Sequence, residues 1–97
     1  GEQSFSIETA DFTATSGSRY GVDTTAGSVT ATLPATPATG DAIRFAQSGG
    51  DWTTNNFIIN PNGNNINGSS GNYTHSINLD FSSLGVFYNG TEWRKYS

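Results

Sequence analysis

Apolar and polar residues alternate in short runs along this chain, and no stretch sustains the 3.6-residue apolar spacing of a helix. From Ser4 to Phe12, the residues Phe5, Ile7 and Thr9 alternate with Ser4, Ser6 and Glu8, which predicts a short strand or arm. That arm carries too few apolar residues to hold itself and must dock against something else. Arg19 to Thr25 reads as a strand that stops at Ala26-Gly27. Ser28 to Leu33 alternates again, with Val29, Ala31 and Leu33 on one side. Pro34 ends this strand because proline has no N–H to give to a ladder. After the connector Pro34 to Asp41, Ile43 and Phe45 face alike in a strand over Ala42 to Ala46. Ser48 to Asp51 forms a turn, and Trp52 opens a strand that runs through Phe57, Ile58 and Ile59. Asn60 to Gly71 is almost all Asn, Gly and Ser. Asn and Gly accept left-handed backbone, so consecutive tight turns are predicted there. Tyr73 to Phe81 alternates once more, with Tyr73, His75, Ile77, Leu79 and Phe81 on one face.

The densest apolar and aromatic content lies between Leu84 and Tyr96, on either side of Asn89-Gly90. An Asn-Gly pair between two such runs signals a hairpin, because both central residues of a type I′ turn need positive φ. A two-residue loop sets Val86 opposite Trp93 and Phe87 opposite Glu92. Leu84, Val86, Tyr88 and Trp93 then share one face. A type I turn with a bulge at Gly90 moves this register by one residue and turns different aromatics inward. Short strands with regularly spaced turns predict an all-β fold, a small sandwich, roll or prism closed by a C-terminal hairpin. Residues 1–12 form its N-terminal strand or arm and residues 13–97 its compact β domain.

Composition sharpens the picture. In 97 residues, 33% are hydrophobic, and roughly half are Gly, Ser, Thr or Asn, so the private core is thin. A small chain with little apolar content draws on disulfides, a metal or oligomerisation, and there is no cysteine. Oligomerisation is therefore expected. A net charge of -4 with only four Lys and Arg argues against nucleic acid, whose phosphates require clustered positive charge. No apolar run is long enough to insert in a bilayer. Methionine is absent altogether, so the chain is expected to be a processed or excised piece of something longer.

An ordered series of short motifs carries a family resemblance. These are Tyr20-Gly21-Val22-Asp23-Thr24, Val29 to Pro34, Gly40-Asp41-Ala42-Ile43-Arg44-Phe45, Asn56-Phe57-Ile58-Ile59, Ile66-Asn67-Gly68 and Tyr88-Asn89-Gly90-Thr91-Glu92-Trp93. The series covers about three quarters of the chain. It resembles a segment of tailed-bacteriophage virion proteins, especially tail fibres and related structural proteins, often towards their C-terminal ends. The resemblance implies an exposed virion part, commonly a homotrimer, with a structural or receptor-contacting role and no catalytic set.

Candidate chemistry adds little to this. His75 is the sole histidine, so a Ser-His-Asp triad would have to run through it. There is no Gly-x-Ser-x-Gly elbow, and Ser69, Ser70 and Ser76 read as turn and strand residues. The chain is expected not to be an enzyme. In a trimer whose axis passed near His75, three imidazoles could share a metal, but no second ligand stands beside it. The eight carboxylates are scattered, with Asp23, Asp41 and Asp51 beside turns, where capping of local backbone is the expected role. The Asn60 to Asn67 loop offers neutral oxygens and lacks the closing Glu of a calcium loop. No cofactor and no metal are expected.

Trp52, Tyr73, Tyr88, Trp93 and Tyr96 are candidate stacking platforms for sugar rings; Tyr88 and Trp93 read as hairpin core, and Trp52, next to Gly49-Gly50-Asp51, is the one expected to be partly exposed on a polar loop. The expected ligand-binding set is therefore Asp51, Trp52, Asn55, Asn62, Asn64 and Asn72, contacting a host-surface glycan. The expectation is a tail-fibre terminal domain, exposed on the virion, that trimerises, joins other virion proteins and contacts a host glycan or protein. Two alternatives stand beside it: a capsid decoration protein that cements capsid subunits, and a carbohydrate-binding module of a larger enzyme.

Overall fold

The computed structural model of the chain describes residues 4–75 and 83–96. Nine strands occur among them: β1 Phe5–Glu8, β2 Phe12–Thr13, β3 Arg19–Asp23, β4 Val29–Thr32, β5 Ala42–Gly49, β6 Phe57–Asn60, β7 Tyr73–His75, β8 Ser83–Tyr88 and β9 Trp93–Tyr96. No helix is present among the described residues, and the fold is all-β as the alternation predicts. Two sheets form, one ordered β1-β3-β5-β8-β9 and the other β2-β4-β6-β7.

Up to β6 the chain changes sheet with every strand. Each strand therefore meets its neighbour only after a full circuit, and it arrives running in the same direction. This is why β1, β3 and β5 pair in parallel in one sheet, and β2, β4 and β6 in the other. Antiparallel strands finish both sheets, β7 beside β6, and β8 then β9 beside β5. The chain winds as a short coil closed by hairpins.

The core lies between the sheets and is filled by alternate residues of each strand, following the two-residue period. Val29, Ala31 and Leu33 meet Ile43, Phe45, Leu84, Val86 and Trp93, all fully or almost fully buried. A line of rings runs through it, with Phe45 on Phe57 at 5.0 Å and Phe57 on Trp52 at 5.1 Å between centroids. Phe12 joins at the edge, 4.7 Å from Tyr20.

Two sequence expectations need correction. The hairpin loop comprises Asn89 to Glu92, so that Tyr88 pairs with Trp93, Phe87 with Arg94 and Val86 with Lys95. The cause is the Asn89 side chain, whose Oδ1 accepts from the backbone N–H of both Thr91 and Glu92 at 2.9 Å and holds a wider turn than type I′. The partner of each β8 residue moves by two positions, an even number, so the expected face survives: Leu84, Val86 and Trp93 point inward with Tyr88 half-buried. The second correction concerns Trp52, which lies in a turn. Thr54 and Asn55 both donate backbone N–H groups to Asp51 O, and the strand begins only at Phe57. The tight turns expected after Asn60 are present, with positive φ at Asn62, Gly63, Asn67 and Gly68. Of the strand expected over Tyr73 to Phe81, β7 covers the first part, while Ile77, Leu79 and Phe81 lie outside the described residues, as does Ser76.

Candidate functional site

The loop residues expected to bind a glycan are held by the fold in a different role. Trp52 is 0% exposed, packed against Phe57, so the expectation of a partly exposed indole is overturned and it has no free face for a sugar ring. Asp51 accepts from the backbone N–H and the hydroxyl of Thr53 at 2.9 and 2.5 Å. These bonds hold its carboxyl below the usual range, the Thr53 hydroxyl contributing most. Asn55 donates its amide to Thr24 O at 2.9 Å, Asn62 to Leu33 O at 3.1 Å and Asn64 to Ala35 O at 3.1 Å. Their amides satisfy carbonyls that the turns leave without ladder partners. Asn72 is exposed ahead of β7. Asp23 repeats the capping geometry of Asp51: its Oδ1 accepts from Thr25 N–H at 2.9 Å, and Thr25 holds its carboxyl low. His75 closes β7, where its backbone pairs with Phe57.

The aromatic surface lies elsewhere, on the outer face of the five-stranded sheet. Register brings Phe5, Arg19, Arg44, Gly85 and Tyr96 into one row across all five strands. Ile7, Gly21, Ala46 and Ser83 make the next row, and Ala42, Phe87 and Arg94 a third. Four large apolar residues are exposed among the described residues, Phe5 at 42%, Ile7 at 59%, Phe87 at 37% and Tyr96 at 36%, and all four project from this face. It also carries Arg19, Arg44 and Arg94, three of the four cationic side chains of an acidic protein. The corresponding positions of the other sheet are Thr13, Thr32 and Asn60 in one row and Thr30, Ile58 and Thr74 in another. One outer surface is polar, the other aromatic and basic.

Small residues shape the aromatic face. A Cβ at Gly85 would run into the Tyr96 ring, and one at Gly21 would come within 2.7 Å of Ile7 Cδ1, so these side chains lie flat over the glycines. Arg44 stands over Tyr96, its guanidinium 5.3 Å from the ring centroid, and Arg19 stands over Phe5 at 5.6 Å. Arg44 also donates to Ser83 Oγ at 3.2 Å. Arg94 is paired with Glu92 at 3.3 Å. Between Arg19, Arg44 and Tyr96 is an open cleft of about 250 Å³ whose walls are completed by Gly17, Ser18, Ala42 and Ile43.

Sequence reasoning missed this face because its members lie on five strands and meet only through the parallel β1-β3-β5 and antiparallel β5-β8-β9 pairings. One signal was available. Arg19 and Arg44 alternate with the core residues Tyr20, Ile43 and Phe45, which assigns both arginines outward.

A protein-family model described as "Bacteriophage T4 gp9/10-like protein, N-terminal" matches residues 2–96. No curated protein matches the chain. The phage virion resemblance carried by the motif series agrees with this match. The description refers to an N-terminal part, whereas the motif series pointed to the C-terminal end of a fibre.

Proposed function

The chain belongs to the bacteriophage T4 gp9/10-like family, a family of phage virion structural proteins, and on that premise we propose that it is a non-enzymatic docking module that joins neighbouring virion proteins through the outer face of its five-stranded sheet. The observation that carries this reading is the gathering of Phe5, Ile7, Phe87 and Tyr96 on one face together with three arginines. Exposed apolar patches of this kind mark interaction sites. Aromatic and arginine side chains are enriched in protein interfaces, where lysine and carboxylates are depleted. The outer face of the other sheet, whose two rows hold four threonines with Asn60 and Ile58 and neither an aromatic nor an arginine, lacks this character.

A second reading places the same face at the exposed tip of a tail fibre, as a homotrimer contacting a host glycan. The stacking surface of Tyr96 and Phe87, 5.9 Å apart between centroids, favours it, because rings bind sugar faces.

One experiment addresses both. In phage carrying Phe87→Ser with Tyr96→Ser, purified particles are analysed by quantitative mass spectrometry and tested for adsorption to host cells. Both residues are more than a third exposed, so folding is expected to survive. Loss of the protein from particles is the expected result. Normal incorporation with lost adsorption would replace docking by host contact, and normal behaviour in both would remove the face from either role. Light scattering of the isolated domain across a dilution series tests the homotrimer separately.

A further inference from the structure

Arg19 and Arg44 are direct partners on adjacent parallel strands, and like charges placed opposite one another in a sheet repel. Both are half-buried, which reduces the screening that water would supply. Among the described residues neither has a carboxylate within ion-pair distance, although Arg94 on the same face is neutralised by Glu92. The fold keeps the two guanidiniums over different rings, Phe5 and Tyr96, and leaves the 250 Å³ cleft between them. An otherwise acidic chain therefore holds, beside an open cleft, two cations that no carboxylate among the described residues compensates, with apolar side chains at both ends.

We propose that this cleft receives an aspartate or glutamate side chain of a neighbouring virion protein, with Phe5 and Ile7 on one side and Phe87 and Tyr96 on the other packing against apolar residues around it. The inference rests on the docking reading above and names the chemistry of its partner. Arginine suits this role because its planar fork binds a carboxylate through two parallel hydrogen bonds. A second copy of the chain docked face to face would set arginine against arginine. A nucleic acid would need a wider basic surface than two side chains on a chain of net charge -4. A sugar would leave Ile7, at 59% the most exposed of the four apolar residues, without an apolar neighbour.

The test uses phage encoding the full chain with Arg19→Glu, Arg44→Glu, Arg44→Lys or Lys95→Gln, with incorporation into particles as the readout. Reversing either arginine is expected to lower the affinity for the particle by about 30-fold or more, the usual range when one member of a buried charge pair is lost. Arg44→Lys keeps the charge without the fork and falls between. Lys95→Gln removes a charge of the opposite side-chain parity and is expected to incorporate normally. Second-site suppressors of Arg44→Glu are expected as Asp or Glu changed to Lys or Arg in another virion protein. Suppressors at acidic positions of this chain would overturn the proposal in favour of a second copy, and lost adsorption with normal incorporation would overturn it in favour of a host-surface ligand. If both reversals incorporate normally while Phe87→Ser with Tyr96→Ser does not, the carboxylate inference fails and the docking face stands. If all of these variants incorporate normally, the docking reading falls with it.

Discussion

Replacing Trp52 by alanine tests how the aromatic residues divide between core and surface. The indole is 0% exposed, its ring centroid is 5.1 Å from that of Phe57, and Phe57 in turn lies 5.0 Å from Phe45. Truncating a buried tryptophan to alanine costs about 3–5 kcal/mol, the sum of lost transfer energy and the cavity left behind. A domain of this size has about 5–15 kcal/mol of total stability, so the variant gives up between about a fifth and all of it. At about 4–8 °C per kcal/mol the melting temperature should fall by at least about 12 °C. Urea unfolding followed by far-UV circular dichroism reads the change without depending on the removed fluorophore. Trp52→Phe retains a ring against Phe57 and should lose much less. A cost within about 0.5 kcal/mol for Trp52→Ala, the range of surface substitutions, would show that the indole is not part of the core. It would return Trp52 to the surface of the Asp51 to Asn55 turn, where it could face a ligand.

Two further substitutions follow from local geometry. Gly50 has φ +78 and a Cβ there would lie 2.6 Å from Thr25 N, so Gly50→Ala should destabilise by more than the usual 1 kcal/mol or so of a strained glycine site, measured by the urea midpoint. Asp23 and Asp51 have lowered pKa values through hydrogen bonds from Thr25 and Thr53, hydroxyl before backbone. A depressed folded pKa gives stability that is present above the unfolded value of about 3.9 and is lost as pH falls through the folded one. The stability difference between wild type and Asp51→Ala should therefore be constant from neutrality to about pH 5 and shrink below pH 4 in acid-dependent urea titrations. A difference that instead grew on acidification would contradict the capping role.

The parts of the fold legible in the sequence are those set by local alternation. Val29, Ala31 and Leu33, then Ile43 and Phe45, then Leu84, Val86 and Trp93 are buried as their two-residue spacing requires. Asn62 and Asn67 adopt the left-handed backbone their side chains tolerate. What alternation leaves open is which strands become neighbours. Phe5 meets Arg19 and Arg19 meets Arg44 only because the chain alternates between sheets, and the hairpin that pairs Gly85 with Tyr96 joins this row only where β8 docks on β5. The outer face is a product of that register, so no contiguous motif could announce it. Trp52 misled for a related reason. A polar turn looks exposed in sequence, but Thr54, Asn55 and Asn56 tie this one down through Asp51 O and Trp52 O, and the indole turns inward onto Phe57. The Asn-rich loop was legible as turns, though the carbonyls that Asn55, Asn62 and Asn64 hold lie far away in sequence.

In the particle, the outer face of the five-stranded sheet is expected to be covered by a neighbour. Hydroxyl-radical footprinting of intact virions and of the isolated chain, read by mass spectrometry, measures that cover residue by residue. Oxidation of Phe5, Phe87 and Tyr96 is predicted to fall sharply in the virion, while Ile58 on the threonine-rich face of the other sheet reacts alike in both. Equal oxidation of Phe5, Phe87 and Tyr96 in the two samples, or protection confined to Ile58, would mean that no neighbour covers this face.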